Sequence, residues 1–244
     1  TLALRLDRCA DMILDGTFEA GLSILATLRP RTAFFSSLAH EVASADLILA
    51  FAGFGKDRRG FTAPSLLGSF APCLRLSAAQ PPEAAASAAP RVESTPLDFF
   101  FPVPETQGLL APPRTGKSTA LKTLGRAVVL AQNGCLLPCK AATLPVFSRL
   151  FAAFTPREPP ESGGSAFASE LAGLNQLFSS LKAGRTTLCL LDSPFSRTNP
   201  SMVNEFFHGL LNQLASHPSA FALIAFSDPS IVHLFEQRRF PVLG

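Results

Sequence analysis

Residues Ala111–Ser118 read APPRTGKS, and Leu109-Leu110 just before them end a short apolar stretch. After them Ala120, Leu121, Leu124, Val128 and Ala131 recur at helical spacing, and Asn133-Gly134 stops the pattern. A strand, a loop of the form Gly-x-x-x-x-Gly-Lys-Ser/Thr and a helix together make a phosphate cradle. Backbone N–H groups and the helix N-terminus face the phosphates, the lysine reaches the β- and γ-phosphates, and the hydroxyl ligates Mg²⁺. Gly116, Lys117 and Ser118 fit this pattern, whereas Ala111 stands at the first glycine position. If that position needs φ > 0, alanine distorts the loop. The candidate ATP-binding residues are therefore Ala111, Pro112, Pro113, Arg114, Thr115, Gly116, Lys117, Ser118 and Thr119. Taken alone, GKST before a helix also fits an ordinary helix N-terminus with an exposed lysine.

The surroundings supply a second half. Thr187–Leu191 (TLCLL within RTTLCLLD) is a continuous apolar run followed by Asp192, and Phe221–Phe226 (FALIAF) is another. Such runs suit strands buried on both faces of a parallel sheet. An aspartate at the end of such a strand orients the Mg²⁺ shell, so Ser118 and Asp192 are the candidate metal ligands; a strand-end cap is the plainer reading of Asp192. An ATPase of this type usually has a glutamate next, to position water. Here Ser193 stands there, and a serine cannot act as a base near neutral pH without a partner that takes its proton. A helix is expected over about 166–182 with Leu171, Leu174, Phe178 and Leu181 inward. Another lies between the two apolar runs, with Asn199 as N-cap, Pro200 in its first turn, and Val203, Phe206, Leu210 and Leu214 inward. The fold class is α/β.

Toward the N-terminus, Leu38, Val42, Ala45, Leu49 and Ala52 predict a helix over 36–55, ended by Gly53 and Gly55. Residues 77–98 are rich in Ala, Pro and Ser and lack an apolar period, which points to a disordered insertion or linker. The chain has 244 residues, 47% of them hydrophobic, ample for a core. A net charge of +3 is too mild to predict nucleic-acid binding by itself. Five cysteines and no leader-like N-terminus suggest free thiols in a reducing compartment; Cys135 and Cys139 lack a second pair at zinc-finger spacing. No uninterrupted apolar run reaches the roughly 18–20 residues of a membrane span. Because the sequence opens with Thr1 rather than Met, a fragment of a longer chain is expected.

Several further stretches carry a resemblance. Gln132–Arg149, QNGCLLPCKAATLPVFSR, is similar to the MutS stretch A-Q-x-G-C-x-V-P-A-x-x-A-x-x-x-x-x-D-R. Ser162–Leu171, SGGSAFASEL, resembles the MutS signature S-G-x-S-T-F-x-x-E-L, and Leu190–Thr198, LLDSPFSRT, resembles L-D-E-L-G-R-G-T. The loop at 111–118 parallels G-P-N-M-G-G-K-S, and HEVASADLILAFA with the later GFTAP resembles the segment entering the ATPase. Order and spacing agree over almost the whole chain after about Ser36. The resemblance implies a P-loop NTPase of the ABC type, with a central, largely parallel sheet at 99–244. It also implies the end of a helical lever at 1–66 and a linker with a low-complexity insertion at 67–98. It further implies ATP and Mg²⁺ as cofactors, a second MutS-family subunit as dimer partner, and double-stranded DNA bound through the full-length protein. A MutL-type protein is a further implied partner, no membrane is implied, and the location is nuclear in a eukaryote and otherwise cytoplasmic. Ser162, Gly163 and Ser165 would face the partner's γ-phosphate in trans; Ser165 is equally a helix N-cap.

The departures bear on hydrolysis. Ala111 and Pro113 replace a glycine and an asparagine of the pattern, Ser193 the glutamate, and Ser227 the histidine after the last core strand. Together they argue against an efficient hydrolase. Glu170 and Asp228 are the acids left that could position water, while His208, His217 and His233 fall off the motif positions. Three other readings stay open: a recombination-type MutS homologue that binds branched DNA, a catalytically inert partner subunit, and a P-loop ATPase of transporter or chromosome-maintenance type.

Overall fold

A computed structural model describes residues 2–55, 60–68, 72–82, 95–154, 166–181, 185–196 and 199–243. By its internal contacts the chain divides into Thr1–Gly53 and Phe54–Gly244. The first unit is helical: α1 (Leu2–Leu28) and α2 (Thr32–Gly55), joined by a 3-10 turn at Arg29–Arg31 with Pro30 in its first turn. A proline is tolerated there because an opening turn has no partner for its missing N–H. The helix expected over 36–55 thus begins four residues earlier, at Thr32. Its apolar side chains stay exposed, Leu38, Val42 and Leu49 among them, as do Met12, Ile13, Leu14 and Phe18 of α1. By length and composition the 43 residues Met12–Phe54 are apolar enough to cross a membrane, even though no single run in them is unbroken, as the sequence led us to expect. The reason is that apolar character accumulates across short polar interruptions without one unbroken run.

In the second unit the strands come first. β1 (Phe61–Thr62) pairs antiparallel with β6 (Leu137–Pro138). β2 (Ser65–Leu67), β3 (Leu74–Ala79), β4 (Leu97–Phe101) and β7 (Ala141–Pro145) form a four-stranded sheet in the order β2-β7-β3-β4. β3 is antiparallel to both neighbours. The stretch 67–98 is therefore not simply a linker: Leu74, Leu76 and Ala79 are buried, and β3 belongs to a sheet. Its alternation spans too few residues before the Ala/Pro-rich run to stand out in sequence. Residues 83–94 of that run lie outside the described residues.

A five-stranded, all-parallel sheet carries the rest, in the order β11-β5-β10-β9-β8. Its strands are β5 (Thr106–Leu110), β8 (Arg149–Phe154), β9 (Thr187–Asp192), β10 (Ala220–Phe226) and β11 (Val242–Leu243). Alternate residues of the central strands feed two cores. Leu188, Leu190, Phe221 and Leu223 pack with α3 (Lys117–Gln132) and the antiparallel sheet. Cys189, Leu191, Ala222, Ile224 and Phe226 pack with α4 (Ala166–Ser180), α5 (Pro200–Ala215) and the short α6 (Val232–Glu236). Burial on both faces is why β9 and β10 are apolar throughout. Asn199 caps α5 as expected, its side chain accepting from Ser201 N at 3.2 Å with Pro200 behind it.

Candidate functional site

The parallel sheet brings three separated segments to one edge. Leu110 is in register with Phe226, and Ala225 with Asp192. The residues that follow, Ala111, Ser193 and Ser227, therefore leave the carboxyl ends of three adjacent strands, where ligands of open α/β sheets bind. The first exit is fixed by Ala111 N–H donating to Phe226 O at 3.2 Å.

The β5–α3 loop then turns through two left-handed residues, Arg114 (φ 67°) and Gly116 (φ 100°). Ala111 is not among them, so alanine there does not bring the distortion that a φ > 0 requirement would have caused. The strained position is Arg114, and about 1–2 kcal/mol is typical for a non-glycine residue in that region. Thr115 Oγ1 donates to Pro112 O at 2.7 Å and braces the turn. Pro112 and Pro113 have no N–H, so the loop's amide donors start at Arg114. Lys117 is buried, and its ammonium donates to Ala111 O at 2.6 Å and Pro112 O at 2.8 Å. The charge is thus held against the loop's own carbonyls, over the mouth of the helix.

Directly below, Ser118 Oγ donates to Asp192 Oδ2 at 2.5 Å, and Ser193 Oγ donates to Asp192 Oδ1 at 3.3 Å. A hydroxyl and a carboxylate converging on one point are hard oxygen donors. They suit Mg²⁺, which takes one or two protein oxygens and completes its shell with phosphate and water. No group of three or more His, Cys, Asp or Glu side chains gathers among the described residues, so the donor set is not that of an all-protein cage. Loop amides, an ammonium and this oxygen pair can together hold a polyphosphate with its metal.

The turn after Asp192 is the least expected part. Ser193 (φ 51°) and Phe195 (φ 62°) both lie in the left-handed region. Phe195 falls on the glycine of L-D-E-L-G-R-G-T, a residue that would adopt this conformation without strain. Its ring is buried, stacked on Phe206 at 5.4 Å and edge-on to Phe207 at 5.5 Å. Burying an aromatic side chain contributes about 1.5–3 kcal/mol, enough to offset the backbone cost. Its N–H donates to Glu170 Oε1 at 2.7 Å, so Glu170 serves the backbone of this turn. Asp228 likewise accepts from Ser230 N at 2.9 Å and caps a 3-10 turn. Sequence reasoning offered both acids for water and missed Phe195 altogether; the mismatch of phenylalanine with a glycine position was the available clue. Ser227 is exposed. His208 and His233 are exposed and bonded locally, to Asn212 and to Ser230 O. Ser162, Gly163 and Ser165 lie outside the described residues.

The family profile described as MutS domain V matches residues 109–225, from the end of β5 to the end of β10. The DNA mismatch repair protein MutS of Petrotoga mobilis is 33% identical over 101 residues, 41% of this chain and 12% of that protein. The protein of the same name from Pseudothermotoga lettingae is 30% identical over 176 residues, 69% of this chain and 20% of its own length. The MutS protein homolog him-14 of Caenorhabditis elegans is 38% identical over 64 residues, 26% of this chain and 8% of that protein. The chain thus spans a fifth or less of the length of these relatives.

Proposed function

Since this chain belongs to the MutS family, we propose that it is the ATP-binding end of a MutS-type DNA mismatch-recognition subunit, with impaired hydrolysis. The convergence of Ser118 and Asp192 at 2.5 Å, beneath the loop that holds Lys117, carries this reading. Arg114 to Thr119, Lys117 among them, would hold the phosphates of ATP, and Ser118 and Asp192 the Mg²⁺. Mg²⁺ would neutralise phosphate charge. Ser193 contributes only a hydroxyl, which donates to Asp192 Oδ1 at 3.3 Å, the carboxylate proposed to hold the Mg²⁺. Losing a general base typically costs about 10²–10⁴-fold in rate. Ser162, Gly163 and Ser165 are proposed to complete the site of a second MutS-family subunit, so that a more intact partner could turn over where this subunit does not. DNA association, and any MutL-type contact, would belong to that dimer and to segments beyond this chain.

Equilibrium binding of a fluorescent ATP analogue, with and without Mg²⁺, tests the reading. The parent binds, and Lys117→Ala weakens binding strongly; equal binding by the two proteins would refute it. Steady-state ATPase then tests impairment. Turnover of about 1 s⁻¹ by the chain alone lies in the ordinary enzyme range and would contradict a worn site.

A further inference from the structure

We infer that Glu170 is a positioning residue for Asp192, acting through the buried turn that follows β9. The inference rests on the nucleotide reading above. Asp192 is the last residue of its strand, and its direction depends on how the chain leaves the sheet. That exit is unusual, because two non-glycine residues, Ser193 and Phe195, hold left-handed conformations within three positions. Three contacts oppose relaxation of the turn. Ser193 N–H donates to Ala225 O at 2.8 Å, Ser196 N–H reaches Ser193 O at 3.3 Å, and Phe195 N–H donates to Glu170 Oε1 at 2.7 Å. Only the last comes from a side chain, and its carboxylate is the strongest acceptor of the three. It also bridges from another element, α4, which begins at Ala166, directly after Ser165 in sequence. The Phe195 ring, seated on Phe206 and Phe207, supplies the second anchor of the turn. Without the Glu170 acceptor, a buried N–H loses its partner exactly where the backbone is strained, and the left-handed residues are free to relax toward extended geometry. The Asp192 carboxylate then leaves its place beside Ser118. Metal-dependent binding suffers, while the loop that holds phosphate is untouched.

The test measures affinity for the fluorescent ATP analogue in Mg²⁺ and in EDTA for the parent chain, Glu170→Ala, Glu170→Asp and Glu170→Gln. Loss of partners that orient a metal ligand typically costs about 10–100-fold in metal affinity. Glu170→Ala should lose the Mg²⁺-dependent gain by about tenfold or more, by that analogy, with affinity in EDTA unchanged. Glu170→Asp draws the acceptor back by one methylene and should show the same loss, which keeps the test decisive if the alanine variant does not fold. Glu170→Gln keeps an accepting oxygen and should restore most of the gain. Hydrogen exchange should show the Phe195 amide protected in the parent and in Glu170→Gln, and exchanging in the other two. A full Mg²⁺ gain in Glu170→Ala or Glu170→Asp overturns the inference, as does an equal fall in Mg²⁺ and EDTA. Absence of analogue binding by the parent is a different failure: it removes the nucleotide reading itself, and the inference with it.

Discussion

Gly108→Ala puts the sheet edge under a defined load. Gly108 lies in β5, three residues before Ala111, and is buried. An added Cβ would sit 2.9 Å from Phe226 Cε1 and 3.1 and 3.2 Å from Phe235 Cε1 and Cδ1. Those two rings are stacked on each other at 5.1 Å, and both are almost fully buried, so neither can swing into solvent. Inserting a methyl group into a packed core costs about 1–3 kcal/mol. Reduced freedom of the unfolded chain returns about 0.4–1 kcal/mol. The net loss is about 1–2 kcal/mol, and in chains of this size each kcal/mol moves Tm by about 2–4 °C, giving a fall of about 2–8 °C. The damage should also reach function, because Phe226 is the residue whose carbonyl receives Ala111 N–H. Thermal unfolding by circular dichroism measures the first effect, and ATP-analogue affinity the second. Gly209→Ala is the control: it lies exposed within α5 with nothing within 4 Å of the new Cβ. Helix propensity there gains up to about 1 kcal/mol, a rise in Tm of a few degrees. If Gly108→Ala melts at or above the parent temperature, the described packing of Phe226 and Phe235 against β5 is wrong.

Other perturbations probe separate parts. Gln132 grips the backbone of Phe147, accepting from its N–H at 2.7 Å and donating to its carbonyl at 3.1 Å. Gln132→Ala should lower stability by about 1–3 kcal/mol, read as an earlier urea midpoint with an unchanged slope. Burial pushes the Cys189 thiol up to about 12, whereas Cys9 is exposed. Iodoacetamide at pH 8 should therefore label Cys9 in the folded protein and reach Cys189 only after denaturation, as peptide mass spectrometry would report. The backbone hydrogen bond from Ser230, with its side chain second, holds Asp228 below its ordinary 3.8. A depressed folded pKa contributes stability above 3.8 that disappears as pH falls through the folded value. The stability gap between the parent and Asp228→Ala should then narrow below pH 3.8 in acid titrations followed by circular dichroism; a gap that widens would reverse the sign. Ser193→Glu should raise ATP turnover only modestly, since the new carboxylate enters a left-handed position beside Asp192; recovery of the full 10²–10⁴-fold typical of a general base would show that the turn adapts freely.

The sequence by itself determined what is local and repeated along the chain. Continuous apolar runs identified β9 and β10, helical spacing identified α3, α4 and α5, and Asn199-Pro200 marked where α5 starts, because these features follow from side-chain period and capping chemistry within a few residues. Gly116, Lys117, Ser118 and Asp192 were legible for the same reason, since a loop at a strand–helix junction needs those residue types in that order. Only the tertiary structure decided what depends on residues far apart in the chain. The short β3 was hidden beside an Ala/Pro-rich run, because its burial comes from β4 and β7 rather than from its own pattern. The ordinary backbone at Ala111 and the left-handed strain at Arg114, Ser193 and Phe195 are backbone angles, which residue identity biases without fixing. In the fold, Phe195, Phe207, Phe226 and Phe235 form a buried ladder from the Asp192 turn toward β5, where a ring fills space and a hydroxyl or indole N–H would require a partner. The clasp of Glu170 on Phe195 N–H joins residues 25 positions apart, and only packing α4 against the parallel sheet brings that carboxylate to that amide.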